Sequence, residues 1–161
     1  MNVGQLMKQN VRACHPNDTL NIAAQIMWDN DCGCVPVVEA NRRLVGMLTD
    51  RDICMAAYTQ GGALRMLRVS SAMSKKVYSC KPEDTLAAAE DVMRAKLIRR
   101  VPVTDAEGHL VGIISLNDIA REAQSEGTRA KKEVTSDEVG LTLAAICSPR
   151  LPRAVATAAA A

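Results

Sequence analysis

Apolar positions along this chain alternate between two spacings, and the alternation occurs twice. Leu20, Ala23, Ala24 and Met27 recur at i, i+3, i+4 and i+7, the spacing that gathers side chains on one helical face. Asp18 and Thr19 precede them as candidate N-caps, and His15-Pro16-Asn17 reads as a turn leaving a short strand around Cys14. Val35-Pro36-Val37-Val38 and Leu44-Val45-Gly46-Met47-Leu48 are short aliphatic runs separated by the polar Asn41-Arg42-Arg43. They predict two strands joined by a turn, with Pro36 where no ladder hydrogen bond is needed. A second helix is predicted to start near Thr49. The order is strand, helix, strand, strand, helix, behind a short leading segment, Val3 to Met7.

Every one of these elements recurs 66 residues later. Residues 3–53 align with 69–119 without a gap, and nineteen of the fifty-one positions are identical. Leu86, Ala89 and Met93 repeat the helical spacing, and Val101-Pro102-Val103 and Leu110-Val111-Gly112-Ile113-Ile114 repeat the strands. About fifty residues bury too little surface to be comfortably stable alone. Two copies packed together are therefore expected to form one pseudo-symmetric α+β unit, with repeat 1 at residues 1–60, a linker at 61–68 around Gly61-Gly62, and repeat 2 at 69–123. The pattern stops there. Residues 124–161 form a tail, polar at first, with a short helix expected over 138–146 presenting Val139, Thr142, Leu143 and Ile146 on one side. The Pro- and Ala-containing end, residues 149–161, is expected to be disordered.

Composition narrows the function classes. Hydrophobic residues are 48% and charged residues 24% of the 161, the balance of a globular protein, and the net charge of +2 gives no field for holding nucleic acid. Trp28, Tyr58 and Tyr78 are the only aromatics, too few for a base-stacking platform. No apolar run reaches the roughly 18 residues that span a bilayer, and the N-terminus does not read as a secretory signal. A cytoplasmic protein is expected, so the six cysteines at 14, 32, 34, 54, 80 and 147 read as reduced thiols, most of them small buried hydrophobes. Cys32-Gly33-Cys34 has no second half and His15 and His109 lie far from it, so no metal site is expected. No nucleophile–base arrangement or phosphate-cradling glycine loop is present, and no enzymatic activity is expected.

Two segments carry a resemblance. Gly46-Met47-Leu48-Thr49-Asp50-Arg51-Asp52-Ile53 and Gly112-Ile113-Ile114-Ser115-Leu116-Asn117-Asp118-Ile119 share glycine, two apolar residues, Ser/Thr, two variable residues, Asp and Ile. With the Pro-x-Asp-Thr-Leu and Val-Pro-Val elements, in order and twice, residues 3–121 resemble a tandem pair of CBS (cystathionine β-synthase) domains, a Bateman module. Asp50-Arg51-Asp52 and Ala145-Ile146-Cys147-Ser148-Pro149 are also similar to small stand-alone bacterial CBS proteins of the hypoxic-response type. The resemblance implies repeats packed through their sheets around two clefts. It also implies a regulatory protein binding AMP, ADP, ATP or S-adenosylmethionine, with no covalently bound cofactor, that signals to an effector protein.

By position in that family, Asp52 and Asp118 accept both ribose hydroxyls, a charge-assisted arrangement. Thr49 and Ser115 stand one turn earlier, where helix-start N–H groups attract phosphate. Gly46 and Gly112 fall where a side chain would block the ligand or a neighbouring strand. Backbone around Val35-Pro36 and Val101-Pro102, and around residues 12–14 and 78–80 with Cys80 among them, would hold the adenine edge. Arg99 and Arg100 precede Val101 and are expected to draw polyphosphate to the second cleft, whereas Arg51 lies between two aspartates in the first. A plainer reading stands beside this one. Ser/Thr-x-x-Asp before a helix is also nearly a capping box, worth about 1 kcal/mol through its cap alone, and Cys14 and Cys80 suit packing. The helices after Thr49 and Ser115 carry Ile53, Ala56, Ala57, Ile119 and Ala123, which one small module would leave uncovered, so a homodimer is expected. The alternative to a nucleotide sensor is a ligand-free, stress-related interaction protein, or a redox-responsive one, acting through its dimer surface or cysteines.

Overall fold

In a computed structural model, residues 1–125 and 134–149 are described. Helix α1 (Val3–Leu6) leads repeat 1, followed by α2 (Leu20–Asp29), strands β1 (Cys34–Val38) and β2 (Leu44–Thr49), and α3 (Asp50–Gln60). Two 3-10 turns, Leu64–Met66 and Val69–Ser71, lead into α4 (Leu86–Lys96), β3 (Arg100–Thr104), β4 (Leu110–Ser115) and α5 (Leu116–Ser125). Helix α6 (Ser136–Cys147) ends the described chain; the expected disorder at 149–161 falls almost entirely outside the described residues. Each repeat is an antiparallel strand pair in the same register: Val35 faces Leu48 and Val37 faces Gly46, while Val101 faces Ile114 and Val103 faces Gly112.

The expected first strand of each copy is reduced to one bridge. Cys14 pairs in parallel with Val37, and Cys80 with Val103. The chain bends away at once into the Pro16 and Pro82 turns, where Asp18 and Asp84 accept from the N–H groups of His15 and Lys81 at 2.7 Å. The prolines of β1 and β3 meet no conflict: Pro36 and Pro102 each accept, through their carbonyls, the N–H of the bridging cysteine, and their missing N–H groups are not called upon. The helix starts differ. Thr85 caps α4 by accepting from Ala88, whereas Thr19 stands at the N-cap of α2 without a side-chain bond.

The two repeats are tied together by exchange. The leading segment of repeat 1 packs on repeat 2, where Val3 joins the core of Leu86, Met93, Val101 and Ile119. Residues 69–74 pack on repeat 1, where Val69 joins Leu20, Met27, Val35 and Leu48. Lys8 exchanges hydrogen bonds with Ile113, and Ser74 does the same with Met47, each pair lying 66 residues from the other. At the pseudo-twofold axis the hairpin turns meet. Leu44 donates to the Gly108 carbonyl and Leu110 donates to that of Arg42. Both turn residues are left-handed, φ +65° at Arg42 and +87° at Gly108, a conformation that glycine alone adopts without steric cost.

Helix α6 has no counterpart in repeat 1. It packs on α4 and α5, with Val139, Thr142 and Ile146 turned inward. Leu143, expected on that inner side, is instead about half exposed, because the buried stripe centres between Thr142 and Ile146 and Leu143 lies about 80° round the helix from that centre.

Candidate functional site

The starts of α3 and α5 are where the sequence concentrates its candidate chemistry, and both are capping boxes. Asp52 Oδ2 accepts from the Thr49 N–H (2.9 Å) and hydroxyl (2.7 Å), while Thr49 Oγ1 accepts from the Asp52 N–H (3.2 Å). Ser115 and Asp118 repeat this, with the Ser115 N–H 3.0 Å from Asp118 Oδ2. Capping is therefore an observed role of all four residues. What is left over differs. Among the described residues nothing bonds Asp52 Oδ1, whereas Asp118 Oδ1 is taken by the guanidinium of Arg121. Asp118 is buried and Asp52 half-buried.

The exchanged segments and the 66-residue offset set the charge around each carboxylate. Beside Asp118, Lys8 and Arg121 line a groove of about 410 Å³. Their counterparts in repeat 1 are Ser74 and Met55, and the counterpart of Leu116, the first residue of α5, is Asp50. The start of α3 thus carries two carboxylates and the exposed Arg51 beside them, and the start of α5 carries one carboxylate already paired with a cation. Lys8 and Arg121 were not among the sequence candidates. Lys8 reaches the site only because its segment crosses between repeats, but Arg121, three residues after Asp118, was legible as an i, i+3 partner.

Several candidates lie elsewhere. Gly46 and Gly112 do not open space for a ligand: a Cβ on Gly46 would stand 2.8 Å from Met73 Sδ and 3.2 Å from the Ser74 carbonyl, and Gly112 is closed in the same way by Met7 and Lys8. Of the two reasons for glycine, the neighbouring segment is the one realised. The backbone groups of Cys80 have partners within repeat 2. Its N–H bonds Pro102, its carbonyl accepts from Thr104, and burial pushes its thiol up to about 11. Cys14 matches it in repeat 1, at about 12. Val35 and Val101 are core residues, and Pro36 and Pro102 are buried beside them in the strands.

Arg100, expected at the second cleft, faces the first repeat. Its Nη1 is 3.8 Å from the position of a Cβ on Gly33, with Asp50 Oδ2 2.9 Å from the same point. The guanidinium also lowers the Cys34 thiol, but burial outweighs it and leaves that thiol at about 11. Arg100 is the counterpart of Cys34, and counterparts that touch each other lie near the pseudo-twofold axis. Arg99 is exposed. Cations come to repeat 2 from other positions as well, since Lys76 and Lys96 both approach the Tyr78 ring, at 5.7 and 4.9 Å from its centroid.

A second groove, of about 560 Å³, opens between residues 9–12 and Arg42, Leu110 and Val111, where the leading segment of repeat 1 crosses the hairpin of repeat 2. It brings Arg12 and Arg42 together. Asp105, Glu107 and His109, in the β3–β4 turn, are a trio able to converge on a cation. Asp105 is committed to that turn, however, accepting from the Glu107 and His109 N–H groups and facing His109 Nδ1 at 3.0 Å.

Two strand-pair repeats exchanging their leading segments, each ending in a capped Ser/Thr-x-x-Asp helix, are matched at the level of family: residues 3–58 and 69–125 each match the CBS domain. The chain belongs to the CBS-domain family. This CBS pair is 39% identical over 118 residues to the CBS domain-containing protein YhcV of Bacillus subtilis, covering 73% of this chain and 82% of that protein. A crystal structure of Hypoxic Response Protein I with two coordinated zinc ions is similar at TM-score 0.69 and 32% identity, over 75% of this chain and 98% of that one. The CBS pair of protein MJ0100, in complex with 5-methylthioadenosine and S-adenosyl-L-methionine, is similar at TM-score 0.68 and 25% identity, over 75% and 98%. The family matches cover both repeats and end at residue 125, before α6.

Proposed function

We propose that this CBS pair is a regulatory sensor with two unlike adenosyl sites, one at the start of α3 and one at the start of α5, that passes its ligand state to an effector protein as a homodimer rather than catalysing a reaction. The carrying observation is the reversal of charge between pseudo-equivalent positions. Asp50, Met55 and Ser74 are the counterparts of Leu116, Arg121 and Lys8, and the last two line the groove beside Asp118 together with Glu122, whose own counterpart is Ala56. Asp52 has a carboxylate oxygen without a described partner and available to a ribose diol, beside a second carboxylate that disfavours phosphate. An adenosyl ligand with a cationic tail, such as S-adenosylmethionine, suits that end. Lys8 and the Arg121-paired Asp118 suit a nucleotide with an anionic tail, AMP, ADP or ATP, because cations at a helix start reinforce its attraction for phosphate. The likeness to a pair that binds adenosyl compounds supports the ligand class. Among the described residues no helix is long and apolar enough to cross a membrane.

Calorimetry with S-adenosylmethionine and ATP tests this. Asp52→Asn is expected to weaken S-adenosylmethionine about 10- to 150-fold, the loss of one hydrogen bond to a charged group, and to leave ATP unchanged. Lys8→Ala is expected to weaken ATP alone. Equal affinities in wild type and both variants would overturn the assignment.

A further inference from the structure

Both oxygens of Asp118 are engaged. Oδ2 accepts from the Ser115 N–H and hydroxyl, and Oδ1 accepts from the Arg121 guanidinium. The two charged residues stand three apart on α5, so they share one face of the helix. Their exposure differs sharply, 7% for the carboxylate side chain and 66% for the arginine. The remainder of the helix start is fixed in place. Ile53, Ala56, Ile119 and Ala123, expected to need a second module to cover them, are buried within one chain, and so is Leu116. A long exposed cation therefore lies over a carboxylate that is held from below by Ser115. The charged residues lining the groove in front of this pair are Lys8, Asp118, Arg121 and Glu122. Two cations and two carboxylates leave that lining without net charge, so its field alone does not select a phosphate. In repeat 1 Met55 stands at the position of Arg121, and nothing among the described residues bonds Asp52 Oδ1.

Resting on the adenosyl reading above, we infer that Arg121 is the specificity-determining residue of the second site: it occupies the ribose acceptor of Asp118 until a phosphate on the same ligand draws it away. The exchange is favourable only when it is complete. A nucleoside without phosphate offers its diol to Asp118 Oδ1 but leaves Arg121 without its partner. A phosphate without a ribose takes the guanidinium but strands a buried carboxylate, which is a costly state. A nucleotide repairs both losses. Its ribose hydroxyls donate to Asp118, and its phosphate accepts from a planar guanidinium whose geometry suits it. The second site thus reads ribose and phosphate together, whereas the first, with Met55 in that place, reads the ribose without the phosphate.

Calorimetry with AMP and adenosine on Asp52→Asn protein, in which only the second site keeps its carboxylate, tests this. AMP is expected to bind, and adenosine to bind about 10-fold or more weakly. Adding Arg121→Met is expected to weaken AMP and to tighten adenosine. The ratio of the two affinities should fall about 10- to 150-fold, the worth of one hydrogen bond to a charged group. Tighter adenosine is the deciding result. An arginine that merely touches phosphate would weaken AMP and leave adenosine unchanged, and that outcome, or no change in either ligand, would overturn the inference. Met55→Arg in the otherwise unaltered chain is expected to do the converse at the first site and weaken adenosine there; an unchanged affinity would overturn the inference as well. Wild-type protein that binds none of AMP, ATP and S-adenosylmethionine would overturn the adenosyl reading beneath it.

Discussion

Met73 covers Gly46, its sulfur 2.8 Å from where a Cβ would be, and 66 residues away Met7 covers Gly112. In each pair the methionine comes from the leading segment of the other repeat. The two glycines are thus the points at which the exchange is fastened, with the Ser74 and Lys8 carbonyls pressed against the same spots. A methionine tail can give way, but a backbone carbonyl held in a bridge cannot do so cheaply.

Gly46→Ala and Gly112→Ala are accordingly expected to destabilise the protein by about 1–3 kcal/mol, the range of overpacking. For a chain of this length that is a fall in Tm of roughly 2–12 °C, at about 2–4 °C per kcal/mol. Thermal unfolding of each variant measures it. A ligand-clearing role would instead leave the apo melting temperature in place and reduce nucleotide binding.

The two capping carboxylates should separate stability from binding. Asp118→Asn puts an amide among the Ser115 donors and removes the charge of a buried carboxylate from its pair with the exposed Arg121, so a loss of about 1–3 kcal/mol is expected in urea unfolding. Asp52 is half-buried and has one oxygen unused. Asp52→Asn still caps, and its stability loss should stay below about 1 kcal/mol. Equal losses at the two sites would mean that Arg121 contributes nothing.

Stability should depend on Glu90. Burial raises its pKa above the ordinary 4.5, opposed by the Thr142 bond and by Arg94, with Glu138 and Asp91 adding to the rise. The fold therefore favours the protonated form. This contribution to stability is complete below pH 4.5 and is lost as pH climbs through the raised value. Glu90→Gln keeps an acceptor for Thr142 without the charge. Its urea midpoint should match the wild type in acid and exceed it at neutral pH, and a wild-type midpoint no more pH-dependent than that of Glu90→Gln would rule this out.

Thiol reactivity should follow burial. Cys54 and Cys147 are exposed, while Cys14, Cys34 and Cys80 are buried with pKa values of about 12, 11 and 11. At pH 8 a thiol of pKa 11 is thiolate to on the order of one part in a thousand, and the thiolate is the nucleophile. Mass spectrometry after brief iodoacetamide treatment should find Cys54 and Cys147 modified, and the buried three modified only after denaturation.

The duplication, the strand pairs, the helical faces and the two Ser/Thr-x-x-Asp helix starts were determined by the sequence, because each rests on contacts between residues near in the chain. A cap at Thr49 needs only Asp52, and a helical stripe needs only the next turn. The family followed from the same local motifs, seen twice and in order. What the tertiary structure decided depends on which distant segments share a space. Residue spacing says nothing of a segment that crosses to the other repeat, so Lys8 beside Asp118 and Met7 over Gly112 were not legible. Neighbourhood along the chain placed Arg100 in the second cleft, but the packing of the two repeats on each other turned it toward Gly33 and Asp50. Helix α6 was legible as an amphipathic segment, yet not its destination. A buried stripe of Val139, Thr142 and Ile146 fits any apolar groove of the right width. Only the Glu90 and Arg94 partners, absent from repeat 1 as Ala24 and Trp28, send it to repeat 2.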